Sequence, residues 1–252
     1  MRPWLLIPFL LCACAERPPG PADGALVLDR AELLLDGAEE PPAVGAWQSV
    51  SLPDRWRERR PDAGGVGWYR FEVPGPATSN QTWAVYLPHL NMNAAVWVNG
   101  APVGSGGSFA EPVAHNFNRP LYFSFPSALL DRPVNSVHVR LFAYAHHYGE
   151  LGPVWIGPDT VLRPLFESVL WRRTTLSQIA TALCAVIVLF SAGLWLGSQR
   201  DPVYGWLAVV TALWGLASLN YWLRDLPVPH PVWERIVHPT LDSFMLALIA
   251  HE

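Results

Sequence analysis

Between Gly24 and Arg163 the chain alternates short apolar runs with turn residues. The runs are ALVLD (25–29), WQSVSL (47–52), WYRFEV (68–73), TWAVYL (82–87), AAVWVNGAPVG (94–104), PLYFSF (120–125), NSVHVRLFAYA (135–145) and GPVWIG (152–157). Val, Tyr, Phe and Trp dominate them, the residue types that suit a pleated, half-buried surface. In the run from Asn135, Val137, Val139, Leu141 and Ala143 share one side, and His138, Arg140, Phe142 and Tyr144 share the other. That period of two predicts a half-buried strand with an aromatic outer face. Asn99-Gly100 joins two extended stretches, and both positions of a two-residue hairpin turn need positive φ. Pro102 cannot donate to a ladder, so the return strand is expected at a sheet edge. PSALLD (126–131) predicts a single helical turn. No strong helical period interrupts these runs, which argues for a β-sandwich or jelly roll.

The second half follows another rule. Leu176 to Gly197 and Val203 to Leu223 contain no charged residue. Each is long enough to cross a hydrocarbon core of about 30 Å. The link SQRDP (198–202) is tight, so the two are expected to form a helical hairpin. Without a charge inside them, they offer no evident carrier for an ion or proton. Gln178, Asn220 and Tyr221 could hydrogen-bond between helices. A third run starts near Pro239 and stops mid-helix at Glu252, as in a fragment of a longer chain; Asp242 falls near its start. The fold class expected is an all-β jelly-roll sandwich over 24–165, followed by α-helical transmembrane segments over 174–252. The spans are 176–197, 203–223 and a truncated third from about 239.

The first residues change the picture of where this chain works. Arg2 begins a positive n-region, Trp4 to Leu11 is a short apolar core, and Ala13-Cys14-Ala15 fits a cleavage site, so 1–14 reads as an export leader. Leu11-Cys12-Ala13-Cys14 also resembles a bacterial lipobox, which would place a lipid on Cys14. The expected location is a bacterial inner membrane, with the sandwich in the periplasm or outside. Arg172, Arg173, Arg224 and Arg235 would then lie outside and only Arg200 inside, against the positive-inside rule. Long exported domains translocate largely regardless of charge, so export remains the reading.

Composition mainly excludes. The net charge of −4 gives no reason to expect nucleic acid as partner. All 17 basic residues are Arg. The three cysteines are Cys12, Cys14 and Cys184, so the β-rich stretch has neither a disulfide framework nor a cysteine zinc site. The sequence contains no P-loop, G-x-S-x-G or H-E-x-x-H motif. Asp54, Asp62, Glu72 and Glu111 show no spacing that marks a glycosidase pair. No catalytic residue, cofactor or metal site is expected in these residues.

Candidate ligand contacts are polar residues beside aromatic ones. HLNMN (89–93) supplies Asn91 and Asn93, and HNFN (115–118) supplies Asn116 and Asn118. Amides and imidazoles beside aromatic faces suit sugar hydroxyls or other small polar ligands, while turn chemistry explains the same asparagines structurally. His146 and His147 follow a strand and could touch a polar ligand; no second cluster supports a metal there. Arg70 could pair with Glu72 or Asp54, or face a ligand.

The motifs GWYRFEV, VWVNGAPVGSGGSF, RPLYFSFPSALLDRPVNSVHVRLF and IGPDTVL, with WQSVSLPDRW leading, resemble the galactose-binding-like jelly roll. More narrowly, they look like the sugar-binding domain of glycoside hydrolase family 2. The whole arrangement, with QRDPVYGWLAVVTALWGL at the second helix, resembles the sensory half of bacterial receptor histidine kinases. It is similar to the seven-transmembrane receptors with diverse intracellular signalling modules. That resemblance implies a two-component sensor whose helices relay to a cytoplasmic kinase outside these residues, and a homodimer by analogy. Its ligand would be a carbohydrate, another small polar molecule or an envelope protein. The alternative is a membrane-anchored carbohydrate-binding or structural envelope module without signalling output.

Overall fold

The computed structural model describes residues 24–75, 81–145, 149–197 and 201–249. The leader, with Cys14, and the pair His146 and His147 lie outside the described residues. The β-rich half contains β1 (Leu26–Leu28), β2 (Arg30–Leu35), β3 (Gln48–Ser51), β4 (Asp54–Arg55), the short α1 (Trp56–Arg59), β5 (Gly65–Pro74) and β6 (Thr82–Leu87). It continues with β7 (Leu90–Asn91), β8 (Asn93–Val98), β9 (Ala101–Ser105), β10 (Leu121–Pro126), a 3-10 turn (Ser127–Leu129), β11 (Val134–Ala143), β12 (Glu150–Leu151) and β13 (Val154–Pro158). The helical half comprises α2 (Asp159–Leu170), a π-turn (Trp171–Thr175), α3 (Leu176–Gly197), α4 (Pro202–Leu219) and α5 (His230–Ile249).

The strands form an antiparallel β-sandwich. One sheet has the order β1-β13-β6-β10, the other β3-β2-β5-β11-β8-β9, and a small third sheet has the order β4-β12-β7. Tyr69, Phe71, Val96, Val98, Val137, Val139 and Leu141 from the six-stranded sheet meet Val85, Leu87, Phe125 and Ile156 from the other. Alternation puts these residues on one side of each strand, and packing them removes their apolar area from water. The 3-10 turn falls within PSALLD. Arg30–Leu35 was not among the strands expected from the sequence. Pairing with both β3 and β5 holds it extended, and Ala31 and Leu33 are buried at period two.

The Asn-Gly hairpin takes the expected geometry. Asn99 has φ 50° and Gly100 has φ 86°. β9 is the edge strand, with Pro102 opposite Trp97 beside a bulge. Asn99 does more than tolerate positive φ. Its Nδ2 donates to Leu129 O and to Asn135 Oδ1, both at 2.7 Å, and its Oδ1 accepts from Ser136 N at 2.9 Å. Asn99→Ala is therefore expected to lower stability by about 1–3 kcal/mol. Asn99→Gly, which relieves the backbone alone, should recover only part of this loss in a urea titration. Equal stability of Asn99→Ala and wild type would show that these hydrogen bonds contribute nothing net.

The helical half departs from expectation at its boundaries. α2 starts at Asp159, within the stretch expected to be sandwich. Its charged residues interrupt the apolar run, but Leu162, Leu165, Phe166 and Val169 dock on Ala84, Tyr86 and Trp155 of the four-stranded sheet. Through the π-turn it continues into α3. α4 ends at Leu219 rather than 223, and α5 starts at His230 rather than near 239. Polar residues in the first turns of α5 hide its start from a hydropathy reading. Two helical stretches, Asp159–Gly197 and Pro202–Leu219, are long and apolar enough to cross a membrane by length and composition. Much of their apolar surface faces outward, including Leu183, Val186, Leu189, Phe190 and Leu207. Thr181 Oγ1 lies 2.6 Å from Ser218 Oγ and accepts from Trp222 Nε1 at 3.0 Å. Asn220 bonds between helical segments too, accepting from Trp233 Nε1 at 2.8 Å.

Candidate functional site

The sandwich and the helices meet at one end of the β-domain. Residues 113–116, ahead of β10, are buried, and this loop reaches the turn after α4. His115 N donates to Arg224 O at 2.8 Å, and its side chain bonds the backbone of Leu223. Asn118 Nδ2 donates to Arg173 O in the π-turn and to Tyr221 O, each at 3.1 Å. Arg173 returns a hydrogen bond to Pro88 O at 3.0 Å. Phe117 lies 6.0 Å from Tyr221, ring centroid to ring centroid. Tyr144, just past β11, stacks on His230 of α5 with centroids 4.9 Å apart and planes within 14°.

A cavity of about 70 Å³ lies in this junction, lined by residues including Asn91, His115, Asn220, His230, Glu234 and His238. His230 Nε2 lies 3.2 Å from Glu234 Oε1, and the His115 and His230 rings are 5.4 Å apart. Burial, with a smaller contribution from His230, pushes the His115 pKa down to about 4. His115 is therefore neutral at pH 7. Its Nδ1 and the Oδ1 of Asn91 are buried without a protein partner among the described residues. The lining can accept hydrogen bonds from a small polar donor. Among the described residues, no three His, Cys, Asp or Glu converge to hold a metal.

Of the candidate contacts, Asn91, Asn93, Asn116 and Asn118 gather near this junction, and Arg70 does not. Asn116 Nδ2 donates to Asn93 Oδ1 at 3.0 Å, and Asn93 Nδ2 donates to Gly107 O and Ser108 O. These amides spend much of their bonding capacity on the protein, tying the loop after β9 to the helix-facing loop. Arg70 lies on the outer face of the six-stranded sheet. Its Nε donates to Glu32 Oε2 at 2.8 Å, and its guanidinium sits 4.5 Å from the Trp47 ring centroid. The expected partners, Glu72 and Asp54, are replaced because β2 puts Glu32 directly across from Arg70. Asp54 points inward instead and bonds Tyr69 and Arg60. Sequence reasoning singled out the HNFN stretch that holds His115 but missed Tyr144, His230 and Glu234. One signal was available for α5, because His230, Glu234 and His238 repeat at four-residue spacing on one helical face.

The fold defines a class: an antiparallel β-sandwich seated through polar and aromatic contacts on a set of apolar helices. No family model matches the chain, and no curated protein matches it. Solved structures resemble part of it. A β-glucuronidase of Ruminococcus gnavus aligns with 18% identity and TM-score 0.39, covering 53% of this chain and 28% of that one. A glycosyl hydrolase family 2 member of Bacteroides cellulosilyticus gives 20% identity and TM-score 0.41, over 53% of this chain and 20% of that one. A calcium-binding mutant of Bacteroides uniformis β-glucuronidase 2 gives 18% and 0.41, over 53% and 18%. The chain thus spans less than a third of each of these proteins.

Proposed function

We propose that this chain is the sensory and membrane-relay portion of a signal-transducing receptor. The sandwich lies outside the inner membrane and senses a ligand or an envelope protein. The helices carry its state inward to a cytoplasmic kinase, and the receptor works as a homodimer. The observation that supports this reading is the attachment of the loop at His115–Asn118 to the ends of the helices. Asn118 bridges the π-turn and the end of α4 at once. A shift of that loop therefore moves two helical segments together, which a sandwich on a slack tether would not do. A ligand drives such a relay only by binding the two states unequally.

The test is a chimera that joins residues 1–252 to a cytoplasmic histidine-kinase reporter. Phe117→Ala with Asn118→Ala is expected to change basal kinase output by about tenfold, the size of a coupling of 1–3 kcal/mol. The sandwich should keep its unfolding midpoint. Unchanged output in a folded double variant would overturn the relay and leave a membrane-anchored module without signalling. Topology reporters placed after Arg200 and after Asp225 should read inside and outside respectively.

A further inference from the structure

Arg140 stands on the outer face of β11, between Trp68 on β5 and Ala95 on β8. Ala95 in turn lies opposite Ser105 of the edge strand β9. A methyl group at that position leaves a depression among larger neighbours. The result is a groove of about 390 Å³ lined by Ala95, Trp97, Pro102, Ser105, Phe109 and Arg140 among others. That volume lies within the range of small-ligand sites.

The guanidinium of Arg140 sits 4.5 Å from the Phe109 ring centroid and 6.0 Å from that of Trp68. Its Nε is buried without a hydrogen bond among the described residues. Glu39 acts on it only through its electrostatic field, and burial lowers the Arg140 pKa more than Glu39 raises it. Arg70, on the same face, has Glu32 as a direct partner. The guanidinium, half-buried on aromatic rings and with no carboxylate bonded to it among the described residues, is a ready partner for an arriving oxyanion at its outward nitrogens.

We propose that this groove binds a small ring compound bearing one carboxylate, of sugar-acid size. The carboxylate pairs with the Arg140 fork. The half-buried Trp97 indole supplies an apolar platform for the ring. The outer backbone edge of β9, from Pro102 to Ser105, offers peptide groups to ring hydroxyls. The proposal goes beyond the receptor reading, and the binding it describes does not depend on any signalling output.

The test is calorimetric titration of the full chain in detergent micelles with glucuronate and galacturonate, against glucose and galactose. At least one uronate is expected to bind, with its neutral parent roughly tenfold weaker or worse. Arg140→Gln should weaken uronate binding roughly tenfold to hundredfold. Arg140→Lys should lose most of the affinity as well, because an ammonium cannot form the bidentate fork. Ser105→Trp, at an exposed rim position, should block the groove without touching Arg140. Overturning results are no uronate binding, equal binding of the neutral sugar, or unchanged affinity in Arg140→Gln. If Arg140→Gln does not fold, unchanged uronate affinity in Ser105→Trp overturns the site. Binding here without any response in the kinase chimera would leave this site standing and show that the receptor senses something other than the uronate.

Discussion

Asp54→Ala is expected to lower the stability of the sandwich by about 3–5 kcal/mol, the usual consequence of removing one partner from a buried ion pair. Asp54 is fully buried. Its Oδ2 accepts from Tyr69 Oη and from Arg60 Nη1, both at 2.7 Å, and Arg59 lies 3.6 Å from its Oδ1. Tyr69 is itself fully buried and accepts from Trp56 Nε1 at 2.6 Å. Burial, then the neighbouring Asp54 carboxylate, hold the Tyr69 hydroxyl well above the usual tyrosine range. Removing the carboxylate strands the Tyr69 proton and the Arg60 fork in one step, where water has poor access. Asp54→Asn keeps an acceptor for Tyr69 and should cost less. In thermal unfolding followed by tryptophan fluorescence, Asp54→Ala should melt roughly 10 °C below wild type. A drop of less than about 1 kcal/mol would mean that the network is redundant with apolar packing around it.

The second large effect is loss of stability in acid. His115 and His138 are both held neutral, each with a pKa pushed down to about 4. Burial is the main cause for both, followed by His230 for His115 and by Arg70 for His138. In the unfolded chain each protonates near pH 6.5. Below that value the unfolded state binds protons that the folded state refuses, so folding weakens as pH falls. The stability is complete above about pH 6.5 and is lost progressively down to about pH 4, at about 1.4 kcal/mol per pH unit for each histidine. Urea midpoints measured from pH 7 to pH 4 should fall steeply. His115→Gln with His138→Gln should flatten that slope. A double variant with the wild-type slope would place the acid sensitivity elsewhere, in paired carboxylates for example.

Much of the fold was legible along the chain because it depends on local patterns. The alternation in β11 marked its inner face, and Asn99-Gly100 marked a hairpin by the φ values it demands. An apolar run of membrane-crossing length marked α3, which spans the stretch expected for it. What escaped was set by neighbours. Arg30–Leu35 was not among the expected strands and becomes one by pairing with β3 and β5. Asp159–Leu170 looks like the end of a β-domain until its apolar face meets Tyr86 and Trp155. Residues of the candidate site escaped for the same reason. His115 and His230 are more than a hundred residues apart, and no spacing rule joins a loop of a sandwich to the first turn of a distant helix. Arg140 read as one more outward strand residue, because only the small Ala95 beside it opens a groove.

The sequence by itself determined the division into a β-rich half and an apolar helical half, the hairpin at Asn99-Gly100 and the inward set of each long strand. Those features follow from side-chain period, backbone preference and run length, which are properties of neighbouring residues in one chain. Tertiary structure alone decided which carboxylate meets which arginine and how the sandwich grips the helices. It also decided which histidines stay neutral and which cation rests on aromatic rings with no bonded carboxylate among the described residues. Desolvation and hydrogen bonding depend on distances between elements far apart in sequence, and only packing sets those distances.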